Sequence, residues 1–525
     1  MENTPPPDSD LKFVEYYHPS VRITILVLLF CIAFLLFQAV VFENTWDDAY
    51  ISYRYSRNFV ENNGLVYNIG ERVEGYTTFL WVMIIGLIGK TGLDIPTIGK
   101  VMSMLFGLAT LIVTYFIGLS LGKKYYTAAL LCALFLAIRI DFGVHYQSGM
   151  ETSLHAFILS LAYLIYLRNG KNLLIPLGIL AGLLQLVHPE GIIFTVAFII
   201  TELMDTPGGA FKIRLKNIGL FILPVGLIVI SHLVWRYFYY GDLLPNTYYA
   251  KSPGLDLIKY IRGTWYLAKF FIFGGGFLYY LPGLYFLYAC IRNKQVRMLA
   301  IIISLYLLFN VYASGDWSPY SRFMMPVLPL VIVSVIYGIL KLASALKAGK
   351  LALAFVVMVF LVTGYQSGLV TKVEPTVFIG KHRKQRGRWK VLCEEFRKIK
   401  AKYPDLTIAS NPIGMVGYYS EARIIDMLGL TNKHIAKEGR QIMGAPGHER
   451  WDMDYVLNQK PDIIYPGSYL VTDDGKVRPR LGLFTSEEDY ARIDRDYEMV
   501  NVPDAGQYWI KKSLKATLPP DEFEK

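Results

Sequence analysis

Two adjacent carboxylates, Asp47 and Asp48, follow a long uncharged apolar run and precede Ala-Tyr-Ile-Ser-Tyr-Arg-Tyr. After them Tyr50, Arg54 and Arg57 recur at three- and four-residue spacing, which aligns them along one helix face. One carboxylate would suit the unsatisfied N–H groups of that helix's first turn; two exceed what capping requires. Other chemistry-bearing residues fall between later apolar runs: Glu74; Asp141, His145 and Glu151; His188 and Glu190; Asn246, Tyr248, Tyr249 and Lys251; Asp316, Trp317 and Arg322. Charge this close to hydrocarbon is costly unless it is paired or serves a polar cavity. Plainer explanations stand beside each: an N-terminal helix charge for Glu151, an interfacial aromatic belt for 241–251, a structural Asp316–Arg322 ion pair.

Carboxylates, cations and aromatics at a membrane face suit sugar transfer from a lipid phosphate. A carboxylate takes the proton of an acceptor hydroxyl and steadies an oxocarbenium-like centre. Arg, Lys or His balances the charge left on a departing phosphate, and aromatic faces cover the apolar side of a sugar ring. Asp47, Asp48 and Glu151 are the candidate catalytic residues. Tyr50, Arg54, Arg57, Glu74, His145, His188, Glu190, Asn246, Tyr248, Tyr249, Lys251, Asp316, Trp317 and Arg322 are candidates for binding substrate. A lipid-linked-sugar transporter would instead spread its polar groups through the membrane depth.

The elements that must position these groups are membrane helices. The 525 residues are 54% hydrophobic and 18% charged, with a mean hydropathy of +0.36, a membrane composition. Much of the formal net charge of +11 falls in short loops, which reads as topology and gives nucleic-acid binding little support. Cys31, Cys132, Cys290 and Cys393 show no zinc-ligand spacing, and the polar tail, holding Cys393 alone, closes no internal disulfide. Apolar runs near 23–42, 98–121, 125–140, 152–167, 172–187, 190–204, 217–238, 268–290, 298–313, 323–340 and 351–368 predict about 11 transmembrane helices. His188-Pro189-Glu190-Gly191 is expected to break 172–204 into two short helices.

Five loops, at Lys123-Lys124, Arg168/Lys171, Lys212/Arg214/Lys216, Arg292/Lys294/Arg297 and Lys341/Lys347/Lys350, hold 13 basic residues opposed only by Glu202 and Asp205. Setting them in the cytoplasm puts the N-terminus inside and the C-terminus outside. Thr77–Lys90, too short to cross, is expected in the outer interface with Trp81 as anchor. The expected organisation is a polytopic α-helical catalytic domain over 1–369, with an external first loop at 43–97, followed by a small extracytoplasmic α/β domain over 370–525. In that tail Trp389–Lys400 reads as a helix, and Leu406–Ser410, Arg423–Met427 and a segment from Pro461 as strands.

At these motifs the sequence resembles the GT-C glycosyltransferases. It resembles more closely the terminal β-(1→2) arabinofuranosyltransferases of mycobacterial cell-wall synthesis and their bacterial relatives. The carrying residues are Asp47-Asp48-Ala49-Tyr50, Gly64-Leu65-Val66-Tyr67-Asn68, Gly70-Glu71-Arg72-Val73-Glu74-Gly75, Gly149-Met150-Glu151-Thr152, His188-Pro189-Glu190-Gly191, Leu244-Pro245-Asn246-Thr247-Tyr248-Tyr249 and Gly315-Asp316-Trp317. In the tail Asp426-Met427-Leu428-Gly429-Leu430-Thr431, Gly447-His448-Glu449 and Pro461-Asp462-Ile463-Ile464 fit the same group.

The resemblance implies a GT-C bundle in the bacterial cytoplasmic membrane and a polyprenyl-monophosphate donor, with D-arabinofuranose as the sugar and mannose or aminoarabinose as alternatives. It implies an extracytoplasmic glycan or a pilin-like protein as acceptor, and a catalytic carboxylate in the Asp47-Asp48 pair. Glu74 and Glu151 fall where related lipid-A aminoarabinose transferases place acidic residues. His188 stands where Arg is often expected before Pro-Glu-Gly, making a phosphate contact there pH-sensitive or absent. No cofactor is implied beyond the lipid-phosphate substrate; divalent metal use and oligomeric state stay open.

Overall fold

The computed structural model describes residues 20–42, 45–121, 126–169, 173–204, 211–251, 257–273, 277–316, 318, 320–347, 354–355, 358, 375–441, 447, 449–467, 469–471, 477–479, 485–503 and 505–519. Among the candidate site residues, Trp317 lies outside them, as do Lys123, Lys124, Lys171, Asp205 and Lys350 of the basic loops. The chain forms two compact units. One draws on 1–45, 100–234 and 256–377; the other on 46–99, 235–255 and 378–525.

The first unit is an α-helical bundle. The expected break is present: helix Leu174–Val187 stops at His188, a 3-10 turn covers Pro189–Gly191, and helix Ile192–Leu203 follows. The expectation of about 11 transmembrane helices is overturned. Among the described residues four helices are long and apolar enough to cross a membrane: Val21–Phe42, Ile95–Leu121, Phe211–Tyr240 and Lys294–Tyr312. The physical reason is helix interruption, which a hydropathy window does not register. The 125–140 run yields a 13-residue helix, Tyr126–Ile138, ending at Arg139, whose guanidinium pairs with Asp141 at 2.6 Å. The runs flanking His188 yield 14 and 12 residues, roughly 20 Å each at 1.5 Å per residue, against a hydrocarbon core of about 30 Å. Helices Leu257–Phe273 and Phe277–Ala289 fall on the 268–290 run, with residues 274–276 outside the described residues. Most of 351–368 lies outside the described residues.

The second unit joins the first inter-helix connection to the tail. Helix Asp47–Val60 packs against the short apolar helix Phe79–Gly89, where Ser56 donates its hydroxyl to the Val82 carbonyl at 2.9 Å. Trp81 is fully buried. The tail opens with helix Pro375–Lys402. Among the described residues nine strands follow: β1 Thr407–Ser410, β2 Arg423–Asp426, β3 Arg440–Gln441, β4 Arg450–Trp451, β5 Ile463–Tyr465, β6 Tyr469–Val471, β7 Val477–Pro479, β8 Tyr497–Val502 and β9 Gly506–Lys511. Five of them form one sheet in the order β2-β1-β5-β9-β8, with β1 parallel to β2 and β5, and β9 antiparallel to both of its neighbours.

Strands covered on both faces read as continuous apolar runs, and these do. Ala409, Ile425, Ile464 and Trp509 enter a core with Val456, Leu457 and Ile493. Tyr465 and Tyr508 instead meet the ring of Phe396 on helix Pro375–Lys402. At the outer edge of β2, the side-chain amide of Asn68 bonds both to the Ile424 carbonyl at 2.9 Å and from its N–H at 3.0 Å. An amide with both a donor and an acceptor can take the place of a neighbouring strand.

Candidate functional site

The candidate residues divide between the units, and each group has its own geometry. In the second unit both members of the acidic pair are half-buried in the first turn of helix Asp47–Val60. Asp47 uses its two oxygens on one target, accepting the backbone N–H of Gly414 at 3.0 Å and of Met415 at 2.7 Å. These amides open helix Ile413–Ser420, so Asp47 acts as its cap. Burial pushes the Asp47 carboxyl up to about 6, against the pull of the two amides, while the adjoining Asp48 charge pushes the same way as burial.

Arg54 is fully engaged. It donates to the carbonyls of Tyr67, Gly417 and Ala422 at 2.7 Å each and to Asn68 Oδ1 at 3.3 Å, with its guanidinium 4.3 Å from the Tyr67 ring centre. Only a planar fork of several donors satisfies carbonyls in that many directions. Arg57 faces Glu421 at 3.5 Å and covers the Tyr418 ring, and Tyr50 sits among Tyr53, Tyr418 and Tyr419.

Glu74 is buried against Arg236 at 2.6 Å; burial lifts its carboxyl to about 7, and the guanidinium opposes that lift. Asn246 gives its side-chain NH2 to the carbonyls of Gly429, Leu430 and Asn432. The turn it holds is closed by buried Asp426, which accepts from the N–H groups of Leu428 and Thr431. Tyr248 is exposed, Tyr249 lies under the Lys437 ammonium, and Lys251 is exposed at the end of helix Asn246–Lys251.

In the first unit a second set converges. Glu151 is buried directly before helix Thr152–Asn169; burial raises its carboxyl, opposed by the charges of His188 and Arg322. Arg322 clamps Asp316 at 2.7 and 2.9 Å and reaches the Met150 sulfur at 3.4 Å, so the ion-pair explanation for Asp316–Arg322 is realised in the geometry. Glu190 is buried and bonded through Oε2 to Nδ1 of His188. Burial alone would raise the Glu190 carboxyl, but the charge and hydrogen bond of His188 outweigh it and hold it below the usual range. His145 is buried, its Nε2 3.2 Å from the Tyr320 carbonyl.

Sequence reasoning missed His155, Tyr306, Arg236 and Arg139. His155 sits four residues after Glu151, a same-face helical spacing that was legible, and its Nε2 lies 2.8 Å from the Tyr306 hydroxyl. Arg236 is a charge inside an apolar run, itself a signal of a buried partner. Among the described residues no group of three or more His, Cys, Asp or Glu is arranged to hold a metal ion.

Residues 380–515 match a family described as a domain of unknown function (DUF8728). Over 247 residues the chain is 26% identical to the terminal beta-(1->2)-arabinofuranosyltransferase of Mycobacterium tuberculosis, covering 43% of this chain and 37% of that enzyme, little more than a third of its length. The structure is similar to that of ArnT from Cupriavidus metallidurans bound to undecaprenyl phosphate, with a TM-score of 0.61 at 12% identity over 94% of this chain and 99% of that one. It is similar also to the oligosaccharyltransferase of Archaeoglobus fulgidus, with a TM-score of 0.56 at 11% identity over 92% of this chain and 80% of that one. The archaeal enzyme AglB, solved with an inhibitory peptide and a dolichol-phosphate, gives a TM-score of 0.53 at 12% identity over 91% and 79%. At such identities the likeness is one of fold alone: the chain shares its fold with these solved proteins.

Proposed function

We propose that this chain is an integral membrane glycosyltransferase, moving a sugar from a polyprenyl-phosphate donor to an extracytoplasmic acceptor. The observation that carries this reading is the fold shared, over more than nine-tenths of the chain, with proteins solved holding undecaprenyl phosphate or dolichol phosphate. Helices long and apolar enough to cross a membrane supply the setting that a lipid-anchored donor needs. The basic loops support a bacterial cytoplasmic membrane location with the N-terminus inside and the tail outside.

D-arabinofuranose as the sugar is supported by the stretch of 26% identity, which covers 43% of the chain. The fold likeness is broader and favours the wider reading, in which the donor carries another sugar such as mannose or aminoarabinose. The acceptor is a glycan or a pilin-like protein.

Of the acidic pair, Asp48 is the carboxylate assigned to the acceptor hydroxyl, because both Asp47 oxygens already accept backbone amides. Glu151, whose carboxyl is raised by burial, is the second candidate acid. The test is a donor panel: purified protein in lipid nanodiscs, given polyprenyl-phosphate arabinofuranose, mannose and aminoarabinose with envelope glycans or pilin-like protein, and read by mass. Transfer of one sugar is expected. Transbilayer movement of the lipid without transfer would favour a transporter instead.

A further inference from the structure

Asp47, Tyr50, Arg54 and Arg57 share one face of helix Asp47–Val60, and all four meet the same element of the tail. That element is helix Ile413–Ser420 with the two residues after it. Asp47 takes the N–H groups of Gly414 and Met415. The Tyr50 hydroxyl lies 3.3 Å from that of Tyr419, and Arg54 donates to the Gly417 and Ala422 carbonyls. Arg57 lies over the Tyr418 ring and beside Glu421. The Tyr67 hydroxyl adds a bond to the Ile413 carbonyl, and the Cys393 thiol meets the Met415 carbonyl at 3.5 Å from helix Pro375–Lys402.

Two glycines make this approach close. A Cβ on Gly414 would stand 1.9 Å from the Asp47 carbonyl oxygen and 2.7 Å from its Cγ. One on Gly417 would stand 1.9 Å from the Tyr67 hydroxyl and 2.7 Å from Nη1 of Arg54. Atoms do not pack at such distances, so a larger residue at either position forces the two helices apart. Asp48 is one residue on from Asp47, turned about 100° from the shared face. Its backbone continues from the residue that the tail holds, so the place of the tail helix decides the place of the Asp48 carboxylate. A base acts within about 2.6–3.2 Å of the atom whose proton it takes, and a displacement of about 1 Å costs up to a hundredfold.

We infer that Gly414, Met415 and Gly417 of the tail are positioning residues for Asp48, so that helix Ile413–Ser420 is a working part of the transfer site. This rests on the transferase reading. In the step it serves, the acceptor hydroxyl gives its proton to the Asp48 carboxylate as its oxygen bonds the sugar C1. The bond from C1 to the phosphate oxygen breaks, and its electron pair stays on that oxygen. The three tail residues act through Asp47 and Arg54, by holding the first turns of helix Asp47–Val60 where the base is needed.

The experiment compares the full chain as wild type, G414A, G417A, Y67F, D48N and G414A/D48N in lipid nanodiscs. G387A is the control, since among the described residues nothing lies within 4 Å of a Cβ there. Sugar transfer from the polyprenyl-phosphate panel is measured together with hydrogen exchange of peptides from 46–60 and from β8 and β9. G414A and G417A are expected to lose about tenfold or more in kcat with donor KM within about threefold of wild type. Y67F, which keeps its ring and drops one hydrogen bond, loses about threefold, and G387A matches wild type. In the D48N background G414A changes kcat by less than about twofold, because the group being placed is gone. Exchange of 46–60 quickens in G414A and G417A while β8 and β9 keep their protection. An equal loss from G414A with and without D48N overturns the positioning role, as does a wild-type kcat in both glycine variants. If the glycine variants also open β8 and β9, Y67F decides: wild-type kcat and exchange there overturn the role. A wild type that transfers no sugar overturns the transferase reading; quickened exchange of 46–60 in G414A then still supports the placement by the tail, and unchanged exchange overturns it.

Discussion

The Asp47 carboxylate accepts the backbone N–H of Met415 at 2.7 Å across 368 residues of sequence. An acid that caps a distant helix is committed to that helix, and Asp48 is accordingly the base proposed from the pair. D48N is expected to lower kcat at least a hundredfold, the scale of a lost general base, with little change in melting temperature. D47N is expected to cost less than tenfold in kcat. Steady-state kinetics and thermal melts on both variants check the assignment; equal losses would contradict it.

Burial sets the Asp47 carboxyl at about 6, above the 3.8 of a free aspartate. Between those values the folded chain binds more protons than the unfolded one, so this group's contribution to stability falls as pH rises from about 4 to about 6, then levels off. For a half-buried carboxyl partly screened by solvent the change is about 1–2 kcal/mol. Melting curves at half-unit pH steps are expected to show that slope in wild type and a flatter one in D47N.

Glu74 and Arg236 form a buried pair at 2.6 Å. Removing one partner of such a pair leaves the other charged and unpaired, at a cost of about 3–5 kcal/mol. R236M is therefore expected to be strongly destabilised, and E74Q/R236M together less than R236M alone. A double-mutant cycle read by chemical denaturation measures the coupling; additive effects would place Glu74 outside the pair.

Arg54 satisfies three carbonyls and one amide oxygen. Lysine offers three donors from a single point and cannot span them, so R54K is expected to lose about 2–4 kcal/mol through buried carbonyls left unpaired. Limited proteolysis is expected to cut first between residues 61 and 78, the connection that Arg54 ties down.

Local signals in the chain were readable because their physics is local. The Asp47–Val60 helix, the break at His188–Gly191 and the strands at 407–410, 423–426 and 463–465 follow from periodicity, proline and β-branched runs. Partners were not readable. Glu74 finds Arg236 162 residues away, and Asn246 finds carbonyls 183–186 residues away, so side chains that looked available for substrate are taken up within the unit. The membrane-span count failed for a related reason. Hydropathy averages over a window, whereas a helix ends at one residue, as it does at Arg139.

Asn68 completes the edge of β2 through Ile424, which the ribosome adds 356 residues later. At about 5–20 residues per second that interval is roughly 20–70 s. For that time the newly made acidic helix and its connection lack the tail groups that Arg54 and Asn68 bind, although the apolar helices encoded between them have already been made. Assembly of this segment thus waits for residues 407–426, and slowing elongation after residue 369 would lengthen the window in which a protease or chaperone can seize the segment holding Asp48.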